Sequence, residues 1–255
     1  MSAMVANKLR ENVIQFPDLK VVERKDNIRS IHHRGGKKRG QKSEVYALEI
    51  QDIEKIANYF ISNEKWIMYL LFTIQINMAR RIGDTLAFKW DNFYDPATGK
   101  IRRYIKEIVE EKTDKIANPM INNAVAEAIN FYIDKVGCDP SKDNYQMPVF
   151  YQHTGTHKGS VLSYSGAITA IKKAARECGI EYNVGTHTPR KTFGAINKWA
   201  HPNDSNSMQI LQEIYNHSDT KVTNRYIGLT KKSVDQYYSD MGSLYSSIVN
   251  DCHTD

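Results

Sequence analysis

The chain is poor in cysteine and has no long apolar run. Cys138, Cys178 and Cys252 are its only cysteines, widely spaced and without a CxxC. That pattern argues against a disulfide framework or a cysteine zinc site, and it fits a reducing compartment. No stretch approaches the roughly 18 uninterrupted apolar residues of a transmembrane helix. Met1 to Arg10 lacks the apolar core of a secretory signal. Glycine-rich nucleotide loops are missing too: neither GxxxxGK[ST] nor GxGxxG occurs, and Gly35-Gly36 sits in a basic stretch rather than between a strand and a helix. ATP and dinucleotide chemistry therefore have no support. His32-His33, His153 and His157 have no carboxylate or cysteine partner at ligand spacing, so they read as loop histidines and no metal is expected.

Positive charge is present, and it is concentrated. The 255 residues carry a net charge of +6. Between Arg24 and Lys42 stand eight basic side chains, among them Arg34, Lys37, Lys38, Arg39 and Lys42, against Asp26 alone, a local +7. The rest of the chain is thus nearly neutral. An arm of this kind suits an anionic polymer, double-stranded DNA or RNA before a membrane surface; the bland reading is a solvated tail.

Hydrophobic periodicity begins after residue 43. Ile53, Ile56, Ala57 and Phe60 repeat at helical spacing behind Asp52. Trp66 to Ala79 is apolar enough for a buried helix, and helical spacing resumes through Asp84, Leu86 and Trp90. Asp95 to Gly99 is a turn signal. Ile101–Glu111 and Ile116–Ile121, joined by Lys112-Thr-Asp-Lys115, form a hairpin pattern. Asn122 or Asn123 caps a helix carrying Val125, Ala128, Ile129, Tyr132 and Ile133. Pro148–Tyr151 is extended. Ser163 opens a helix to Cys178 that Gly179 ends. Helical segments follow at Thr192–Ala200, Met208–Tyr215 and Thr220–Tyr226. A final amphipathic stripe runs from Val234 to Val249. The pattern is α+β and mainly helical, with a small antiparallel β-sheet and a C-terminal amphipathic helix.

The chemistry on offer is cationic and phenolic. His187 stands three residues before Arg190, about one helical turn. His217 follows, with Tyr226 nine residues beyond it. Arg80-Arg81 comes after the buried run, and Lys112 sits at the hairpin turn. Singly, each has a structural reading: a solvated helix end, a solvent-facing turn lysine, one tyrosine among 15.

Together and in order, these elements resemble the tyrosine recombinase (phage integrase) family. The resemblance rests on ARRIGDTLAFKW from Ala79 to Trp90, on Lys112 to Lys115, on HTPRKTF from His187 to Phe193, and on Asn216 to Ser218 and Thr223 to Thr230. It implies a catalytic domain over residues 44–230, preceded by the basic arm 1–43 and followed by residues 231–255 as a helix for packing or protomer exchange. It implies catalytic roles for Arg81, Lys112, His187, Arg190, His217 and Tyr226, with Asp84 orienting site side chains. Arg80 and Lys115 are the alternatives for the first arginine and the lysine. The arm residues Arg34, Lys37, Lys38, Arg39 and Lys42 are the expected DNA-binding set.

The physics agrees with those roles. Two guanidinium forks grip a phosphodiester as no lysine can. A tyrosine has a pKa of about 10, so a nearby base and cations must favour its anion. Lys112 is the expected general acid for the leaving 5′ oxygen. The implied activity is site-specific DNA recombination through a 3′-phosphotyrosyl intermediate, with no cofactor, no metal and no ATP. The alternatives are an accessory DNA-binding protein or regulator with the same fold, or relaxing activity like that of a type IB topoisomerase. The expected partners are double-stranded DNA and further copies of the chain, a tetramer on DNA, in a prokaryotic or mobile-element cytoplasm and away from membranes.

Three departures from the family pattern stand out. Only about 43 residues precede the match, too few for the family's separate helical domain. Either the arm grips phosphate in its place, or a longer recombinase or accessory factor supplies the clamp, or the protein is a reduced form with weakened activity. The polar Pro202–Ser207 stretch looks like an insertion. Asn216 stands where a glycine is usual before the histidine, which implies another backbone conformation or some strain.

Overall fold

The computed structural model describes residues 45–110, 115–153, 155–201 and 203–217, together with Thr223 and Met241. All of them belong to one unit that begins at Ser43. At its centre is a mainly apolar helix with no exposed residue. We label Ile50–Ser62 α1 and Trp66–Met78 α2. Helix α2 buries Met68, Leu70, Leu71, Phe72, Ile74 and Met78, the behaviour of a helix with no solvent face. Around it pack α1, α5 (Asn123–Val136), α6 (Tyr164–Glu177) and α7 (Thr188–Ala200). In α1 the buried residues Asp52, Ile56 and Phe60 recur every fourth position. The buried Asp52 carboxylate takes hydrogen bonds from Lys55 at 2.8 Å and from the Tyr182 hydroxyl at 2.6 Å.

Helix ends follow the sequence closely. The Asn122 side chain accepts from the Val125 amide at 3.0 Å and starts α5, and Gly137 ends it at φ 64°. Ser163 caps α6 through the Gly166 amide at 3.1 Å. Helix α7 begins earlier than Thr192. Pro189 lies in its first turn, and the Thr188 hydroxyl accepts from the Gly185 amide at 3.0 Å. The early start brings Arg190 into the helix. The polar stretch after α7 closes in turns, with Asp204 accepting from the Asn206 amide at 2.8 Å, and leads into α8 (Ser207–Ile214).

The strands are shorter than the sequence implies. Two short helices, α3 (Ile82–Leu86) and α4 (Trp90–Phe93), precede β1 (Tyr94–Asp95), which pairs antiparallel with β2 (Lys100–Ile101) around the expected turn. Ile101 thus belongs to a separate ribbon. Arg102 Nε, donating to the carbonyls of Asp91 and Tyr94, holds the bend that follows. The expected hairpin survives as β3 (Ile108–Val109) and β4 (Ile116–Ala117), with Ile108 opposite Ala117, and as a Tyr104–Met120 bridge further along. Pro119 has no amide to give, so the ladder between these pieces is broken.

The first residues of the described chain strap onto α7. The Leu48 amide donates to the Thr192 hydroxyl at 2.8 Å and Lys191 Nζ to the Val45 carbonyl at 2.8 Å. A small cluster of Ala79, Leu211 and Tyr215, joined by Phe193, Met208 and Ile214, packs α8 beside α7 and the end of α2. No described helix is long and apolar enough to cross a membrane. Lys112, Tyr226, the basic arm and, apart from Met241, the C-terminal stripe lie outside the described residues.

Candidate active site

The end of α2 and the segment after α8 meet at three arginines. Ala79 terminates α2 in the left-handed conformation, φ 55°, which turns the chain sharply before Arg80 and Arg81. Asn216 ends the segment after α8 in the same way, φ 54°. A non-glycine residue in that region carries strain, least for asparagine. So the position takes the backbone that a glycine would favour, and asparagine is the substitute that suits it.

Arg190 reaches from α7 into this junction. Only 1% of it is exposed. Its Nη1 donates to the Ala79 carbonyl at 2.7 Å and its Nη2 to the Tyr215 carbonyl at 2.7 Å. Its guanidinium lies 4.9 Å over the Tyr215 ring, a cation–π arrangement. The Tyr215 hydroxyl donates back to the Arg190 carbonyl at 2.8 Å.

His217 lies against this assembly. Its ring stacks on Tyr215 at 5.1 Å between centroids, its Nε2 is 3.4 Å from Arg190 Nη2, and its Nδ1 is 3.1 Å from the Thr223 hydroxyl. A guanidinium has no lone pair to offer, so Nε2 is the accepting nitrogen and Nδ1 carries the hydrogen. Burial lowers the His217 pKa from its ordinary value to about 4, helped by the charges of Arg190 and Arg81. The ring is therefore neutral near pH 7.

The two adjacent arginines differ. Arg80 is buried. It donates from Nε to the Met78 carbonyl at 3.1 Å, from Nη1 to Glu110 at 2.9 Å, and from Nη2 to the Ile214 carbonyl. Burial pulls its pKa down, against the charge of Glu110. Arg81, at the start of α3, keeps 19% of its side chain exposed. It donates to the other Glu110 oxygen at 2.7 Å and lies 3.9 Å from Asp84. Of the pair, Arg81 is the one with a face open to a ligand.

His187 is exposed at the N-terminus of α7, one turn before Arg190. Of the hairpin lysines, Lys115 is described, and its Nζ donates to the Asn216 carbonyl at 3.1 Å. The structure thus gathers Arg81, Asp84, Arg190 and His217, with His187 on the adjoining helix turn. Sequence reasoning passed over Glu110 and Tyr215. Glu110 had a signal: alternation along β3 puts it on the inward face with Ile108, and an inward carboxylate needs a cation. Among the described residues no three His, Cys, Asp or Glu side chains come together as metal ligands.

The chain matches the phage integrase family over residues 44–233. It is 28% identical over 195 residues to the probable integrase/recombinase YoeC of Bacillus subtilis (strain 168), covering 76% of this chain and 95% of that protein. Among solved structures it is similar to XerA recombinase, with a TM-score of 0.55 at 17% identity over 79% of this chain and 66% of that one. It is also similar to XerH site-specific recombinase in a post-cleavage complex with its palindromic difH substrate, with a TM-score of 0.57 at 17% identity over 78% of this chain and 53% of that one. The Tn1549 transposon integrase in complex with circular intermediate DNA gives 0.54 at 15% identity, over 79% of this chain and 66% of that one. These likenesses show the fold. The chain spans between about half and two thirds of the length of these solved proteins.

Proposed function

Because the chain belongs to the phage integrase family, we propose that it is a site-specific DNA strand transferase that cuts and rejoins DNA through a tyrosine. The observation that carries this reading is the meeting of Arg81, Arg190 and His217 at one junction, with Arg190 Nη2 3.4 Å from His217 Nε2 and both arginines acting on the histidine charge. Two cations with a neutral imidazole beside them suit an oxyanion, and a phosphodiester at the transition state presents one.

In the proposed reaction the Tyr226 phenol oxygen attacks phosphorus and the phosphorus–O5′ bond breaks. The 3′ phosphate stays on the tyrosine. The phenol proton passes to His187, and the departing 5′ oxygen takes a proton from Lys112. Arg81 and Arg190 hold the nonbridging oxygens, and Asp84 orients Arg81. His217 is assigned a hydrogen bond donated to the same phosphate, which takes the tautomer with its hydrogen on the nitrogen that faces it. The side-chain cations supply the charge, so the scheme calls on no metal or ATP. A second DNA end reverses the step and exchanges strands.

The basic arm, through Arg34, Lys37, Lys38, Arg39 and Lys42, is assigned to duplex phosphates. The segment 231–255 is assigned to contacts between protomers in a tetramer on DNA. The same reading assigns the protein to a cytoplasm, as a prokaryotic or a phage- or mobile-element-encoded protein. Family membership favours recombination over the accessory-regulator and topoisomerase readings.

The test uses nicked suicide duplexes spanning the DNA that flanks the gene. Wild type is expected to leave an SDS-resistant adduct on the 3′ side, and Tyr226→Phe to bind with nearly the same affinity and leave none. Tight wild-type binding without an adduct would overturn the proposal.

A further inference from the structure

Glu110 directly follows β3, two residues before Lys112 in the sequence, and it is tied in three directions. Its backbone amide donates to the Lys115 carbonyl at 3.0 Å, joining the two sides of the hairpin. One carboxylate oxygen accepts from Arg80 at 2.9 Å and the other from Arg81 at 2.7 Å. The carboxylate side chain is completely buried, Arg80 nearly so, and Arg81 less. Two adjacent guanidinium groups repel each other, and the carboxylate between them offsets that repulsion.

The two arginines are not equivalent partners. Arg80 spends its remaining donors on the Met78 and Ile214 carbonyls, so its place is fixed by the fold. Arg81 has no such backbone ties among the described residues and keeps its open face. We infer that Glu110 is a positioning residue, anchored by Arg80, that aims the Arg81 guanidinium at the scissile phosphate and locks the lysine hairpin to the same point. Arg80 is then what keeps the carboxylate in place when a phosphate competes for Arg81. This rests on the strand-transferase reading above.

Glu110→Gln keeps the shape and removes the charge. Adduct formation on a suicide duplex is expected to fall by about 100-fold, the scale of losing one oriented donor to a developing oxyanion, while DNA affinity changes little. The same variant is then tested on a duplex with an uncharged methylphosphonate at the scissile position. There an aimed arginine matters less, so the gap from wild type is expected to shrink to a few-fold. A purely structural role would slow both substrates alike.

Since Glu110→Gln leaves Arg80 buried without its counter-charge, the double variant Arg80→Met with Glu110→Gln is measured beside it. It removes the buried pair and leaves Arg81 with Asp84 as its remaining carboxylate, and the same substrate-dependent defect is expected. Thermal unfolding confirms that each variant compared is folded. If wild type gives no adduct, the strand-transferase reading fails. If wild type does and a folded variant matches it on phosphate DNA, or loses equally on both substrates, the role given to Glu110 is wrong.

Discussion

Arg190 and Tyr215 hold each other twice. The arginine Nη2 donates to the tyrosine carbonyl at 2.7 Å, and the tyrosine hydroxyl donates to the arginine carbonyl at 2.8 Å. The guanidinium also covers the ring. A long, flexible side chain is thereby held in one orientation before any ligand arrives, which lowers the entropy lost on binding.

Tyr215→Phe separates the two bonds. It removes the hydroxyl and keeps the ring and the carbonyl that hold the guanidinium. The expected cost is about 1 kcal/mol, the net value of one buried hydrogen bond, which for a domain of this size lowers the melting temperature by roughly 2–4 °C. Adduct formation is expected to stay within a few-fold of wild type. Tyr215→Ala also deletes the packed ring and is expected to cost about 3–5 kcal/mol. Urea unfolding of the two variants reads the contrast.

His217 gives the protein a pH dependence of defined sign. Its pKa is about 4 in the folded chain and 6.5 ordinarily. Between those values the unfolded chain binds a proton that the folded chain refuses, so stability rises with pH. The contribution is complete above about pH 6.5 and is lost as pH falls toward 4. Denaturant unfolding across this window is expected to show the slope, and His217→Gln to reduce it. A DNA phosphate at the junction would offset the charges of Arg81 and Arg190 and raise the same pKa. Binding is therefore expected to take up protons in that window, read by calorimetry in buffers of different ionisation enthalpy. No uptake would place the phosphate away from His217.

Which parts of this were legible in the sequence follows from what each part depends on. The helices around α2 rest on periodicity and on caps such as Asn122 and Ser163, which are local properties. The order of the site residues is likewise written along the chain. The choice between Arg80 and Arg81 is different. Both have the same chemistry, and only the turn at Ala79 and the place of Glu110 decide which one is buried. Helix α7 starts before Thr192 because the Gly185–Thr188 turn leads straight into a first helical turn that Pro189 suits. The hairpin is interrupted because Pro119 withholds an amide, a cue that the sequence does carry. Tyr215 carried no cue, since nothing local marks one tyrosine as the seat of a guanidinium.

Asn216 tests the backbone argument. Its left-handed φ of 54° is tolerable for asparagine and favourable for glycine. Its side-chain bond to the Ile116 carbonyl is long, 3.4 Å. Asn216→Gly is accordingly expected to change stability by less than about 0.5 kcal/mol, while Asn216→Ala costs about 1 kcal/mol, because alanine has neither the freedom nor the local polar compensation. Chemical denaturation of the two variants measures the difference. Equal effects would mean that the position is not strained.

The two hairpin lysines can be told apart by changing the leaving group. Lys115 is already engaged at 3.1 Å with the Asn216 carbonyl, beside His217, which makes it a structural tie between the hairpin and the junction. Lys112 is assigned the proton for the 5′ oxygen. An alkoxide needs that proton, whereas a thiolate leaves without one, its conjugate acid having a pKa of only about 8.5 in a cysteine. On DNA with sulfur at the bridging 5′ position, Lys112→Ala is therefore expected to regain most of the cleavage rate that it loses on ordinary DNA. Lys115→Ala is expected to lose similar amounts on both, because a displaced hairpin is not mended by a better leaving group. Rescue of Lys115→Ala instead would move the general acid to Lys115 and leave Lys112 to the phosphate backbone.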